Sequence, residues 1–108
     1  MPFQVKCHVA IGIIDLEEMK LANTASAQKE IRKNARRRAR NRLVKAKTRT
    51  VTKNAVVAID DGETNAPDLV RQAQVELDSA VTKGIIHKNT AARKKSRLVK
   101  HLRAATAK

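Results

Sequence analysis

A chain of 108 residues has room for one domain and not for two comfortable ones. Its 24 Lys and Arg against 10 Asp and Glu give a formal net charge of +14, more than solubility requires, so a polyanionic partner is implied. Phe3 is the single aromatic residue, which excludes base stacking on aromatic platforms and weighs against an interfacial membrane helix, whose basic face is normally opposed by Trp and Phe.

The first 21 residues, MPFQVKCHVAIGIIDLEEMKL, carry ordinary charge and a strand-like stretch at residues 9–14. Cys7 is the only cysteine, so no intramolecular disulfide is possible, and Cys7 with His8 lacks the further ligands of a metal site. No apolar run approaches the roughly 20 residues of a membrane span, and the basic start, apolar stretch and cleavage site of a signal peptide are missing. A cytoplasmic protein is expected.

Residues 26–59 contain no Gly or Pro and are rich in Ala, Arg, Lys, Leu and Gln, which predicts one long helix of about 50 Å at ~1.5 Å per residue. Ser26 is the expected N-cap, Glu30 complements the dipole, and Asp60-Asp61-Gly62 ends the run. Up to Ala39 the apolar stripe is Ala27, Ile31, Ala35 and Ala39, mostly methyl-sized; from Leu43 onward larger groups appear at Val44, Val51, Val56, Val57 and Ile59. Only the second half is expected to bury much area, with the first half projecting beyond the domain and ordering on its partner.

A second helix is predicted from residues 65–68 to the Lys83-Gly84 stop, with Pro67 and Asp68 in its first turn and a stripe of Leu69, Val70, Ala73, Leu77, Ala80 and Val81. A third is predicted from about Thr90, with Asn89 as N-cap, to about Ala105, with Ala91, Leu98, Val99, Leu102 and Ala105 recurring at helical spacing. Short connections make neighbours antiparallel. The expected fold is all-α, a three-helix bundle with a long projecting first helix and with Ile85 and Ile86 plugging one end.

Charge follows the same order. Residues 26–53 hold twelve bases and one acid, residues 60–78 six acids and one base, and residues 83–108 nine bases and no acid. The acidic middle helix is expected to face away from the partner while it packs the bundle. On the first helix Arg32, Arg36 and Arg40 form one row, Lys29, Lys33 and Arg37 another, and Arg38, Arg42, Lys45 and Arg49 a third, so charge is expected around nearly the whole circumference. Phosphates arriving from several directions suit folded RNA better than one duplex. A nucleoid or other DNA-binding protein is the alternative, although residues 43–59 lack the strict heptads of a leucine zipper. Gly-rich phosphate loops, HExxH, paired cysteines and catalytic triads are all missing, and His8, His87 and His101 are scattered, so neither an enzyme nor a cofactor, metal or small-molecule substrate is expected.

Two stretches are more specific. Residues 83–98 read KGIIHKNTAARKKSRL, and residues 22–27 read ANTASA, followed by Arg38, Arg40-Asn41-Arg42, Lys45 and Thr48-Arg49-Thr50. In these motifs the chain resembles the family of the bacterial small-subunit ribosomal protein number twenty, over about residues 22–102. The resemblance implies a three-helix protein of the small ribosomal subunit that binds 16S ribosomal RNA directly and early in assembly. Carried over by position, it implies RNA contacts from Asn23, Ser26, Lys29, Arg32, Lys33, Arg36, Arg37, Arg40, Asn41, Arg42, Lys45 and Arg49, and from His87, Lys88, Asn89, Arg93, Lys94 and Arg97. At Asn89 a helix start would offer free N–H groups to phosphate, with His87 and Lys88 as flanking donors.

The expected division is therefore an N-terminal extension, residues 1–21, and an RNA-binding domain, residues 22–108. Because the family-like sequence starts directly after Met19-Lys20-Leu21, and Leu16-Glu17-Glu18 can be encoded by a purine run of the ribosome-binding type, translation from Met19 is an expectation, with residues 1–18 dispensable.

Overall fold

The computed structural model describes residues 23–108, which fold into three helices: α1 (Ala25–Asp60), α2 (Ala66–Thr82) and α3 (Lys88–Thr106). Among the described residues there is no strand, and α1, at 36 residues, is about twice as long as either of its successors. The expected extension, the strand-like residues 9–14 and the internal start at Met19 lie outside the described residues. The chain divides into two compact units after Arg42.

Turn chemistry sets the helix ends. At the start of α1 the Thr24 hydroxyl accepts from the Ala27 N–H at 3.2 Å, and the Thr24 carbonyl accepts from Gln28 N–H at 3.0 Å. Thr24 is therefore the cap, and Ser26, expected in that role, sits inside the first turn, because an N-cap serves the amide three residues ahead. Both turns between helices close in the same way: Glu63 N–H bonds Ala58 O at 3.0 Å beside Gly62 at φ +68°, and Ile85 N–H bonds Ala80 O at 3.0 Å beside Gly84 at φ +73°. These six-to-one bonds need a left-handed residue, which Gly supplies without a Cβ clash. Pro67 and Asp68 occupy the first turn of α2, as expected.

Helix α3 begins earlier than its sequence predicts. His87, extended at φ −70° and ψ 142°, takes the cap position, and its Nδ1 accepts from Asn89 N–H at 3.1 Å. Asn89, the expected cap, already lies inside the first turn. A ring nitrogen two residues before the amide reaches it as an Asp or Ser oxygen would.

The core follows small residues more than large ones. Ala55, Ala58 and Ile59 of α1 pack with Ala66, Val70 and Ala73 of α2 and Leu98 of α3, flanked by Val51, Val56, Leu69 and Leu102. The α2 stripe is as expected, with Leu77 and Ala80 also buried and Val81 partly so. In α1, however, Leu43 is 72% exposed and Val57 45% exposed, while Thr48, Ala55 and Ala58 are buried. Positions 48, 51, 55, 58 and 59 recur every three or four residues and define the inward face; Leu43 and Val57, fourteen apart, share a face turned from it. Burial of Thr48 leaves no orphan hydroxyl, since its Oγ1 donates to Val44 O at 2.8 Å. Ala105, placed in the stripe by spacing, is exposed, and Ile85 and Ile86 are half-buried in the α2–α3 connection.

Two ion pairs and one histidine–carboxylate contact each close a different seam. Lys47 meets Glu76 at 2.7 Å between α1 and α2, Lys95 meets Asp78 at 2.7 Å between α3 and α2, and His101 Nε2 lies 3.2 Å from Asp60 between α3 and α1. Glu76 and Asp78 of α2 thus turn toward neighbouring cations. Each lysine–carboxylate pair is worth ~0.2–1 kcal/mol at such exposure, enough to favour one register over its alternatives.

This core makes two predictions. Ala55→Leu should cost about 1–3 kcal/mol through overpacking, whereas Leu43→Ala should change stability by less than about 0.5 kcal/mol, both read from urea unfolding. In the free protein, amides of residues 26–42, where Ala35 is the one buried residue, should exchange faster than those of residues 44–59, as hydrogen-exchange mass spectrometry would show.

Candidate nucleic-acid interface

Six cations of α1 share a face. Lys29, Arg32, Lys33, Arg36, Arg37 and Arg40 fall at the i, i+3, i+4, i+7, i+8, i+11 spacing of a helical stripe, are all exposed, and line one depression of about 670 Å³. The first two rows expected from spacing are therefore one surface. On the other side Ala27, Ile31, Ala35 and Ala39 are the covered or half-covered positions, so the ring of charge expected around the helix is uneven. Glu30 is the single acid of this stretch, and its carboxylate reaches Lys33 at 3.5 Å between half-exposed groups. Such a pair is too weak to hold Lys33 from a phosphate.

The other α1 positions fall outside this depression. Asn23 and Ser26 are exposed at the helix start, where the Ser26 hydroxyl lies 3.4 Å from that of Thr24. Asn41 is half-buried, while Arg38, Arg42, Lys45 and Arg49 are exposed. Rows of cations in an open helix face have the geometry for phosphate oxygens and lack any device for telling bases apart.

The second motif is organised by the α3 cap. With Nδ1 accepting from Asn89, the neutral His87 ring carries its proton on Nε2 and offers it outward as a donor. Thr90 and Ala91 N–H both go to His87 O, at 3.0 and 3.2 Å. An anion at this helix start would meet the His87 ring and the Lys88 side chain, because the Asn89 amide expected to bind it is already satisfied. Arg93 and Arg97, four residues apart, lie on one exposed row; Arg93 Nε leans back to Asn89 O at 3.4 Å. Lys94 is half-buried and is the least accessible of the set. Lys100, exposed and three residues beyond Arg97, extends the row; the helical spacing of 93, 97 and 100 is the signal that would have found it.

No three His, Cys, Asp or Glu side chains come together to hold a metal ion among the described residues, and no described helix is long and apolar enough to cross a membrane. Fold and surface define a class: small helical proteins whose exposed faces are built of cations. Within that class the family model of ribosomal protein S20 matches residues 22–103, and the chain belongs to this family. It is 54% identical to the small ribosomal subunit protein bS20 of Roseiflexus sp. strain RS-1 over 87 residues, 81% of this chain and 96% of that protein. The protein of the same name from Symbiobacterium thermophilum is 51% identical, covering 81% of this chain and 90% of its own length, and that of Dinoroseobacter shibae is 44% identical, covering 81% and 100%.

The cap assignment is directly testable. His87→Ala should destabilise the protein by about 0.5–2 kcal/mol, and Asn89→Ala by clearly less, in thermal or urea unfolding; the reverse order would return the cap to Asn89.

Proposed function

We propose that this chain is a structural constituent of the small ribosomal subunit that binds 16S ribosomal RNA directly and stabilises its fold during assembly, on cytoplasmic ribosomes. The RNA-binding domain is residues 22–108. The observation that carries this reading is the α1 face: six exposed cations at helical spacing along one depression, opposed by a single weakly placed acid. Membership of a ribosomal protein family and the small-subunit relatives support it.

The mechanism is electrostatic. Each Lys or Arg that neutralises a phosphate releases condensed counterions, so affinity falls steeply with salt. The Arg guanidinium adds bidentate hydrogen bonds that a Lys ammonium lacks, which suits it to fixing one backbone geometry. His87 Nε2–H, Lys88, Arg93 and Arg97 form a second point of attachment at the start of α3. No step of this work calls for catalysis, a cofactor, a membrane or a small-molecule substrate.

Replacing Arg36, Arg37 and Arg40 together by Gln should weaken binding to 16S 5′-domain RNA. It should also lower the log–log salt slope by roughly 2–3 in total, at ~0.7–0.9 for each phosphate no longer neutralised, with circular dichroism unchanged. An unchanged slope would show these arginines to be merely solvated and would overturn the assignment of that face.

A further inference from the structure

Along α3, beside Gln74 of α2, lies an open, shallow groove of about 570 Å³ lined by Gln74, Lys95, Ser96, Val99, Lys100 and Arg103. None of these six is among the RNA-contacting positions that the family resemblance implies. We propose that this groove is a further RNA-backbone site, which seats a strand continuing from the Arg93–Arg97 row; the proposal rests on the RNA-binding reading above.

The charge of the groove is not consumed within the fold. Of its cations Lys95 is held by Asp78 at 2.7 Å, whereas Lys100 and Arg103 are exposed and make no ion pair among the described residues. The other seam acid of α2, Glu76, is engaged by Lys47 of α1. No acid occurs anywhere from Lys83 to Lys108. Two exposed cations along a shallow groove, beside a carboxylate that is already paired, present a net positive potential.

Its lining has a division of labour that suits a sugar–phosphate chain. Arg103 supplies a planar fork for phosphate oxygens and Lys100 a point charge three residues before it. The Ser96 hydroxyl and Gln74 amide both donate and accept, which matches a 2′-hydroxyl, and half-buried Val99 gives an apolar floor for a ribose face. From Ser96 to Arg103 the groove runs about 10 Å along the helix axis at ~1.5 Å per residue, enough for more than one phosphate. Because Lys100 follows Arg97 by three residues, the groove opens from the exposed Arg93–Arg97 row, so a strand lying on that row has a path into it.

The test uses the full chain, intact 16S ribosomal RNA, hydroxyl-radical footprinting and salt-dependent affinity. Lys100→Gln with Arg103→Gln should lower the log–log salt slope by about 1.4–1.8. It should also lift protection from a set of nucleotides that the Arg36, Arg37 and Arg40 triple variant leaves protected; Lys100→Arg with Arg103→Lys should restore much of the slope. If the groove pair leaves slope and footprint unchanged while the α1 triple weakens binding, the groove is wrong and direct RNA binding stands. If neither weakens binding, both fall. If the groove pair leaves RNA binding intact but abolishes capture of a polyglutamate peptide, the groove takes an acidic chain and the proposal is overturned. Both side chains are exposed, and each single variant is measured separately, so loss of folding in the pair would still leave two readable substitutions.

Discussion

Like-charge repulsion is the constraint on which the rest of this structure depends. With 24 cations and 10 acids in 108 residues, the folded state concentrates charge that the extended chain would keep apart. The fold meets this by rationing its acids. Glu76 and Asp78 each sit on a seam between two helices and face a lysine of the neighbour, and Asp60 faces the His101 ring of α3. A core of Ala55, Ala58, Ala66 and Ala73 around Val70 and Leu98 lets the helices approach closely, so modest side chains still pack densely. Neither device is strong alone; surface ion pairs are weak and alanines bury little area. Together they select one register, because a one-turn slip of any helix would misplace both its partners across the seams and its small residues.

The same constraint shapes function. Acids spent on the seams leave the outward faces of α1 and α3 almost purely cationic, and phosphate is the counter-charge those faces lack. Without aromatic platforms or a base-reading constellation, recognition falls to the spacing of phosphates on a folded RNA. The protein and its RNA are then complementary in an energetic sense: binding removes the repulsion that limits the free chain, and the RNA gains cations held at fixed spacing.

Helix existence and most boundaries were legible because Gly62, Pro67 and Gly84 punctuate the chain with residues that have specific backbone requirements. The α2 stripe was legible because its apolar residues are nearly all on one face. Helix α1 was legible in part: Val51, Val56 and Ile59 meet the core as expected, but Leu43 and Val57 point outward and a threonine and alanines point in, so size misled where angular position decided. The caps were misread for a related reason. Ser26 and Asn89 have the preferred chemistry, but Thr24 and His87 hold the geometry, and only coordinates show which oxygen or ring nitrogen meets an unpaired amide. For the interface, the cation rows could be read from spacing, whereas the joining of two rows into one depression, and the groove between α2 and α3, required the placement of side chains on neighbouring turns and helices.

On the proposed function these faces are matched to folded ribosomal RNA rather than to polyanions in general. Affinity for 16S 5′-domain RNA and for duplex DNA of equal length, measured at the same salt concentrations, tests that claim most directly. Tighter binding to the RNA is expected at every salt concentration, with the margin persisting as salt rises; equal affinities throughout would contradict it and mark the chain as a general binder of nucleic-acid phosphates.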